Sequence, residues 1–149
     1  LDSSILSQLD YVVVSVHSSF SLSEEAQTKR IIKAIEQPYI TMLGHLTGRI
    51  LLRREGYKVD EHKVIDAAIA NGKIIELNAS PLRLDMDWRL WKNASAKGLL
   101  CSINPDAHNA QSLDYIRAGV LSARKGGLTA DNIFNTRSLA QVKSYLSSK

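Results

Sequence analysis

The sequence predicts an α/β fold in which parallel strands alternate with helices. Short apolar runs recur along the chain, and longer amphipathic stretches with helix-start signals lie between them. The length of 149 residues suits a single domain. Right-handed crossovers would place the carboxyl ends of all strands on one side of the sheet, where function gathers in such folds.

The strands are predicted from β-branched and apolar runs. The first, YVVVSV, is almost wholly apolar, as in a parallel strand that is buried on both faces. Polar and turn-forming residues follow each of the later apolar runs. The predicted strands are 11–16, 39–43, 74–77, 99–103 and a short fifth strand, 120–123.

The helices are predicted from their caps and from their amphipathic spacing. Ser23 precedes two acidic residues and Asp60 precedes an apolar-periodic segment, and both are favoured N-cap residues. Gly72 and Gly98 follow two of the predicted helices, at the position where glycine commonly ends a helix. The predicted helices are 23–36, 60–71, 87–97, 111–118, 129–134 and 138–147.

Composition excludes several classes of protein. The single cysteine, Cys101, excludes a disulfide framework and a thiolate metal cluster, and it predicts a reducing, cytoplasmic location. No apolar run approaches the ~20 residues that span a bilayer, so no membrane partner is expected. The net charge of +4 allows an anionic partner such as nucleic acid without requiring one.

Three of the four histidines directly follow predicted strands. His17, His45 and His108, with Asp106 beside the last, would therefore lie on one side of the sheet. Imidazole and carboxylate groups are ligands for Zn, Mn and Fe, so the pattern predicts a metal site. The alternative is a set of hydrogen-bonded rim residues and an ordinary Asn-Pro-Asp turn. His62 lies in a charged helix start and is predicted to be a surface residue.

The segment LGHLTGR adds candidate substrate contacts. Its glycines allow the backbone to approach a ligand, and Arg49 is placed to hold a phosphate. Arg53 is a further substrate-binding candidate, and a solvated basic face is the alternative for it. Asn78 is a third candidate, in the strand that also carries Glu76. Glu76 either fixes the tautomer of a metal ligand or is a buried acid that pairs with Arg83, and the sequence leaves both open.

Several of these strings together resemble a known family, the PHP (polymerase and histidinol phosphatase) domain, and most closely the PHP domain of bacterial family X DNA polymerases. The strings are VVVSVHSSF, LGHLTGRILLRREGY, IIELNASPLRLDMDWRLWKNA and INPDAH. The resemblance implies a distorted (βα)7 barrel with three metal ions, and phosphoester hydrolysis that includes 3′–5′ exonuclease activity. By motif, His17 and His45 would share one metal, Asp106 would bind a second, His108 a third, and Arg49 would be the catalytic residue near the phosphate.

The resemblance also implies that part of the site lies elsewhere. The family's domain begins with a His-x-His motif that this sequence does not contain, so residues 1–149 are expected to form a single partial PHP domain, the second half of the barrel. The implied cofactors are Zn or Mn ions, with Fe as a further candidate, and the implied partner is DNA. Two open strand edges are expected, and with them self-association or pairing with a missing N-terminal half.

Two other functions remain open at this point. One is a small-molecule phosphatase of the histidinol-phosphatase type, which keeps the fold and changes the substrate. The other is a catalytically inactive PHP remnant with a structural or DNA-binding role. The basic segment LLRREGY favours nucleic acid as the partner.

Overall fold

The chain folds around a four-stranded parallel sheet whose strand order follows the chain order, β1-β2-β3-β4. The computed structural model describes residues 2–147, so residues 1, 148 and 149 of the predicted domain lie outside the described part. The strands are β1 (Val13–Val14), β2 (Met42–Leu43), β3 (Ile74–Asn78) and β4 (Cys101–Asn104). An α/β fold with parallel strands and flanking helices is thereby confirmed.

Six α-helices are found within residues 2–147, and the predicted caps form. Ser23 accepts a hydrogen bond from the Ala26 N–H, and Asp60 accepts one from the Lys63 N–H. Both caps satisfy donors that a helix start leaves unpaired. The helices are α1 (Ser3–Leu6), α2 (Glu24–Ile35), α3 (Glu61–Ala70), α4 (Trp88–Ala96), α5 (Ile116–Lys125) and α6 (Leu139–Ser147). Across the described residues, none of these helices is long and apolar enough to cross a membrane.

The prediction of a fifth strand at 120–123 is wrong, because these residues lie inside α5. Gly119, Ser122 and Ala123 are buried, whereas Val120 and Leu121 are exposed. This three-to-four-residue spacing of buried positions belongs to a helix that packs one face on the sheet. Short apolar runs do not distinguish a strand from a helix segment by periodicity.

The helix predicted at 129–134 is also wrong. The structure forms two short 3-10 turns, Ala130–Asn132 and Phe134–Thr136, with Ile133 extended between them. Ile133 makes a parallel bridge with Cys101 of β4. Long-range pairing with the sheet therefore prevents a continuous helix in this segment.

The two faces of the sheet differ in chemistry. One face packs Leu43, Ile75 and Leu77 against the helices in a buried apolar core. The other carries Glu76, which is paired in register with Ser102, and the flanking positions share its face because side chains alternate along a strand. On this polar face the Asn104 amide lies 2.9 Å from the Glu76 Oε1 atom. The polar face leads directly to the candidate site.

Only one of the two expected open edges is present. The β4 edge is covered, because the Asn135 side chain accepts from the Ile103 N–H at 2.7 Å and donates to the Ile103 carbonyl at 3.0 Å. The amide thus imitates a neighbouring strand. Within the described residues β1 pairs on one side only, with β2, and Tyr11 and Val13 beside its free edge are exposed. The expectation of a second free edge is therefore wrong.

The contact between α5 and the sheet yields a test of the corrected helix. A Cβ atom on Gly119 would lie 2.5 Å from both the Ala79 Cβ and the Ile103 Cγ2 atoms. In a helix with free space, Gly119→Ala would stabilise the protein by about 1 kcal/mol. Here we expect overpacking to lower the free energy of unfolding by about 1–3 kcal/mol in urea denaturation. Val120→Ala, on the exposed side of α5, is the control and should change it by less than about 0.5 kcal/mol. A more stable Gly119→Ala variant would contradict this packing.

Candidate functional site

His17 and His45 meet at the carboxyl ends of β1 and β2. Their ring centroids lie 5.1 Å apart and the rings are nearly perpendicular, at 88°. His17 is exposed and His45 is buried. The structure thus brings together two of the four predicted metal ligands, at the side of the sheet that the topology indicated.

The His45 ring has the properties of a metal ligand. Its Nδ1 atom is buried and has no hydrogen-bond partner among the described residues. Burial lowers the pKa of the His45 imidazole from its usual value, and the nearby positive charge of Arg83 lowers it further. A neutral imidazole with an unused nitrogen is the form that binds a metal ion. Metal binding by the His17–His45 pair stays a prediction.

The backbone at His45 is held by a buried carboxylate. The Glu76 Oε2 atom accepts from the His45 N–H at 2.7 Å. His45 has a φ of 23°, a region that residues other than glycine seldom occupy, so this bond stabilises a strained position. Gly44 precedes it, and a Cβ atom there would lie 2.5 Å from the Ser15 hydroxyl oxygen. A larger residue here would therefore require the Ser15 side chain to move.

A second buried carboxylate, Asp85, holds the rest of the loop. Its Oδ2 atom accepts from the Thr47 N–H, the Thr47 hydroxyl and the Gly48 N–H, each at 2.9 Å. Burial raises the pKa of the Asp85 carboxyl, and the hydrogen bonds from Thr47 oppose this rise. Sequence reasoning missed Asp85, because it lies 38 residues from Thr47 and no spacing pattern links the two.

The hydrogen bonds of Glu76 go to a backbone N–H and to two side-chain amides, so neither the expected contact with a histidine ring nor the expected pairing with Arg83 is found among the described residues. Glu76 contacts the His45 N–H, and its carboxylate also accepts from the amides of Asn78 and Asn104. Its role is thus to orient the backbone of a candidate ligand. Arg83 instead forms an ion pair with Asp106, with 3.2 Å between the Arg83 Nε and Asp106 Oδ2 atoms.

Asn78 links the two acidic parts of the site. It is fully buried, and its amide nitrogen lies 3.1 Å from both the Glu76 Oε2 and the Asp106 Oδ2 atoms. Its carbonyl oxygen accepts from the Ser80 N–H. In the described structure Asn78 therefore positions other residues, and its contact with a substrate stays a prediction.

Asp106 and His108 line a neighbouring cleft of about 240 Å³ that also contains Arg83. Asp106 has a φ of 53°, the left-handed region again, and the His108 Nδ1 atom lies 2.8 Å from the Asp106 carbonyl oxygen. Across residues 2–147, no three His, Cys, Asp or Glu side chains are grouped so as to hold one metal ion. Asp106 and His108 are thus not gathered with the histidine pair around a single ion, and their metal binding stays a prediction.

Arg49 anchors the segment that carries Asp85. Its Nη1 atom lies 2.9 Å from the Asp87 Oδ2 atom, its Nε atom donates to the Arg83 carbonyl, and its Nη2 atom donates to the Leu84 carbonyl. All three guanidinium nitrogens thus have protein partners, and the predicted catalytic role stays a prediction. Arg53, the other predicted cation, is exposed, as is His62. Arg83 is the cation that the structure places at the site.

The fold is an α/β module with polar residues at its strand ends, and the similarities to known proteins support a PHP-like domain. The chain is 38% identical over 145 residues to the DNA polymerase/3′-5′ exonuclease PolX of Bacillus subtilis, a match that covers 97% of this chain and 25% of the relative. It is 31% identical over 158 positions to a protein named probable phosphatase from Thermoanaerobacter pseudethanolicus. Another probable phosphatase, from Caldanaerobacter subterraneus, is 29% identical over 154 positions.

The chain spans only part of each of these relatives. It covers a quarter of the polymerase, 62% of the Thermoanaerobacter protein and 58% of the Caldanaerobacter protein. No family model matches the chain. The similarity nevertheless runs along 97–100% of the chain in these matches, so it includes every candidate site residue.

The hydrogen bond from the Thr47 hydroxyl to Asp85 makes a pH-dependent prediction. Thr47→Val removes a donor to a buried carboxylate and should lower the free energy of unfolding at pH 7 by about 1.5–3 kcal/mol. The folded-state pKa of Asp85 lies above its ordinary 3.8. The hydrogen bond that Thr47→Val removes stabilises the ionised form of Asp85. The loss should therefore shrink as the pH falls through that pKa, where Asp85 becomes protonated.

Urea denaturation at pH 7 and at pH 4 measures this difference. Thr47→Ser keeps the hydroxyl and is the matched control, which should show little pH dependence relative to the wild type. An equal loss for Thr47→Val at both pH values would show that the hydroxyl does not serve the ionised carboxylate.

Proposed function

We propose that this chain is the C-terminal part of a PHP barrel that hydrolyses phosphoesters with bound divalent metal ions, and that its substrate is a DNA 3′ end. The observation that carries the proposal is the His17–His45 pair, with a buried and unpaired Nδ1 atom on His45. The 38% identity to a DNA polymerase/3′-5′ exonuclease supports DNA as the substrate. The mildly basic charge is compatible with it.

Each residue of the site has a distinct role in this proposal. His17 and His45 hold a Zn or Mn ion, and Asp106 and His108 offer ligands in the adjoining cleft. A bound divalent ion supplies Lewis-acid stabilisation of charge on the phosphoryl oxygens. Glu76 fixes the His45 loop through its 2.7 Å bond, and Arg83 places a positive charge where a phosphate would enter.

The proposed site needs further ligands. Catalytic zinc sites have three protein ligands, and the described residues provide a pair. We propose that an N-terminal half of the barrel supplies the rest and pairs with the free β1 edge. A second copy of this chain is the alternative source, because it too can pair with that edge.

A small phosphate monoester is the second candidate substrate. Two relatives are named probable phosphatases, and the cleft beside Arg83 has a volume of only about 240 Å³. An inactive remnant is the third candidate. It is favoured by the ion pair between Arg83 and Asp106, which occupies one oxygen of a predicted metal ligand.

Metal binding tests the histidine pair directly. Calorimetric titration of the chain with Zn²⁺ or Mn²⁺ should show binding that His17→Ala or His45→Ala weakens about tenfold or more, because each removes one of few ligands. His62→Ala, an exposed histidine on α3, is the matched control and should leave the affinity unchanged. Binding that is equally insensitive to all three substitutions would remove the pair as a metal site.

Hydrolysis tests the substrate. The product of the complete reading frame, with Mn²⁺, should shorten a DNA duplex from its 3′ end, and His45→Ala should lower the rate about a hundredfold or more. Turnover of p-nitrophenyl phosphate, measured in the same preparation, shows whether the substrate is instead a phosphate monoester. Absence of both activities from a metal-loaded, folded protein would favour the remnant.

A further inference from the structure

A tight turn at residues 50–54 projects a leucine into solvent. Ile50 and Arg54 form an antiparallel bridge, in which each N–H donates to the other's carbonyl, at 2.9 and 2.8 Å. Leu52 at the tip is fully exposed and has a φ of 62°. A left-handed conformation is strained for a leucine, and packing inside this chain does not offset that strain because the side chain makes no buried contact.

The turn is nevertheless held firmly. The Leu51 N–H donates to the Leu82 carbonyl at 2.6 Å, and the Arg54 guanidinium donates to the Gly48 carbonyl at 2.7 Å. The same guanidinium lies 4.7 Å from the centre of the Phe20 ring. Hydrogen bonds thus fix the backbone that carries the exposed leucine. A fixed, exposed apolar side chain is more typical of an interaction site than of a flexible loop.

The turn stands at the rim of the candidate site. Ile50, at its base, and Leu82, to which it is bonded through Leu51, both line the cleft that contains Arg83 and Asp106. A molecule that fills this cleft would therefore contact the base of the turn.

The charges around Leu52 favour an anionic partner. Arg53 and Lys58 are exposed, and Glu55 is the one acidic residue in the segment 50–58. Leucine wedges flanked by arginine are a known means of separating stacked bases, with the cations on the phosphates. Leu52 and the neighbouring exposed Leu82 together offer too little apolar area for stable attachment to a lipid surface. Nucleic acid is therefore favoured over a membrane.

We infer that the 50–54 turn is a wedge for a DNA end, in which Leu52 inserts beside the terminal base pair and Arg53 binds a backbone phosphate. This inference rests on the proposed function for the choice of a DNA 3′ end. It assigns to the turn the task of separating the last nucleotide from its neighbour, so that its phosphodiester can enter the cleft.

The test uses a duplex with 2-aminopurine next to its 3′ end, and EDTA to prevent hydrolysis. Addition of the chain should raise the 2-aminopurine fluorescence as the end unstacks. Leu52→Ala should abolish this rise, and Leu139→Ala, at another exposed leucine on α6, should keep it. Arg53→Gln should reduce the slope of log affinity against log salt by about 0.9, the value for one phosphate contact. Lys143→Gln is the matched charge control. Circular dichroism verifies that each variant is folded.

The outcomes separate this inference from the proposed function. A fluorescence rise that Leu52→Ala retains, or the absence of DNA binding, overturns the wedge. Leucine-dependent binding to phosphatidylserine vesicles without DNA binding overturns the choice of partner. A rise that depends on Leu52, together with a product of the complete reading frame that hydrolyses no DNA in the presence of Mn²⁺, supports the wedge while the proposed function fails.

Discussion

Two buried carboxylates, Glu76 and Asp85, determine the shape of the loop that follows β2, and the candidate site depends on them. Glu76 binds the N–H of His45, and Asp85 binds the N–H groups of Thr47 and Gly48. Burying an ionised carboxylate is costly unless it is fully hydrogen-bonded. Several N–H and O–H donors converge on each acid here, and charge-assisted bonds of this kind are about twice as strong as neutral ones.

The same arrangement links the catalytic candidates to one another. Asn78 joins Glu76 to Asp106, and Arg83 joins Asp106 to the segment that contains Asp85. Arg49 holds that segment in place through the carbonyls of Arg83 and Leu84. A change at one of these positions is therefore expected to move others, so that substitutions within this network should not be additive.

The sheet has one face that is buried against the helices and one face that carries this network. Apolar side chains of β3 pack against the helices, while its alternate residues carry the polar groups. Asn135 closes the β4 edge, and the β1 edge beside His17 stays free on its outer side in the described structure. The free edge therefore lies next to the exposed member of the histidine pair.

Local pattern in the sequence was enough for the alternation of strands and helices, for the caps at Ser23 and Asp60, and for the histidines at the strand ends. These features depend on residues a few positions apart, which a sequence displays directly. Tertiary structure alone decided that 120–123 is helical, because the run belongs to α5, which packs on the sheet where Gly119 approaches Ala79 and Ile103. It alone paired Glu76 with His45 and Asp85 with Thr47, across 31 and 38 residues, because no local rule selects one distant partner over another.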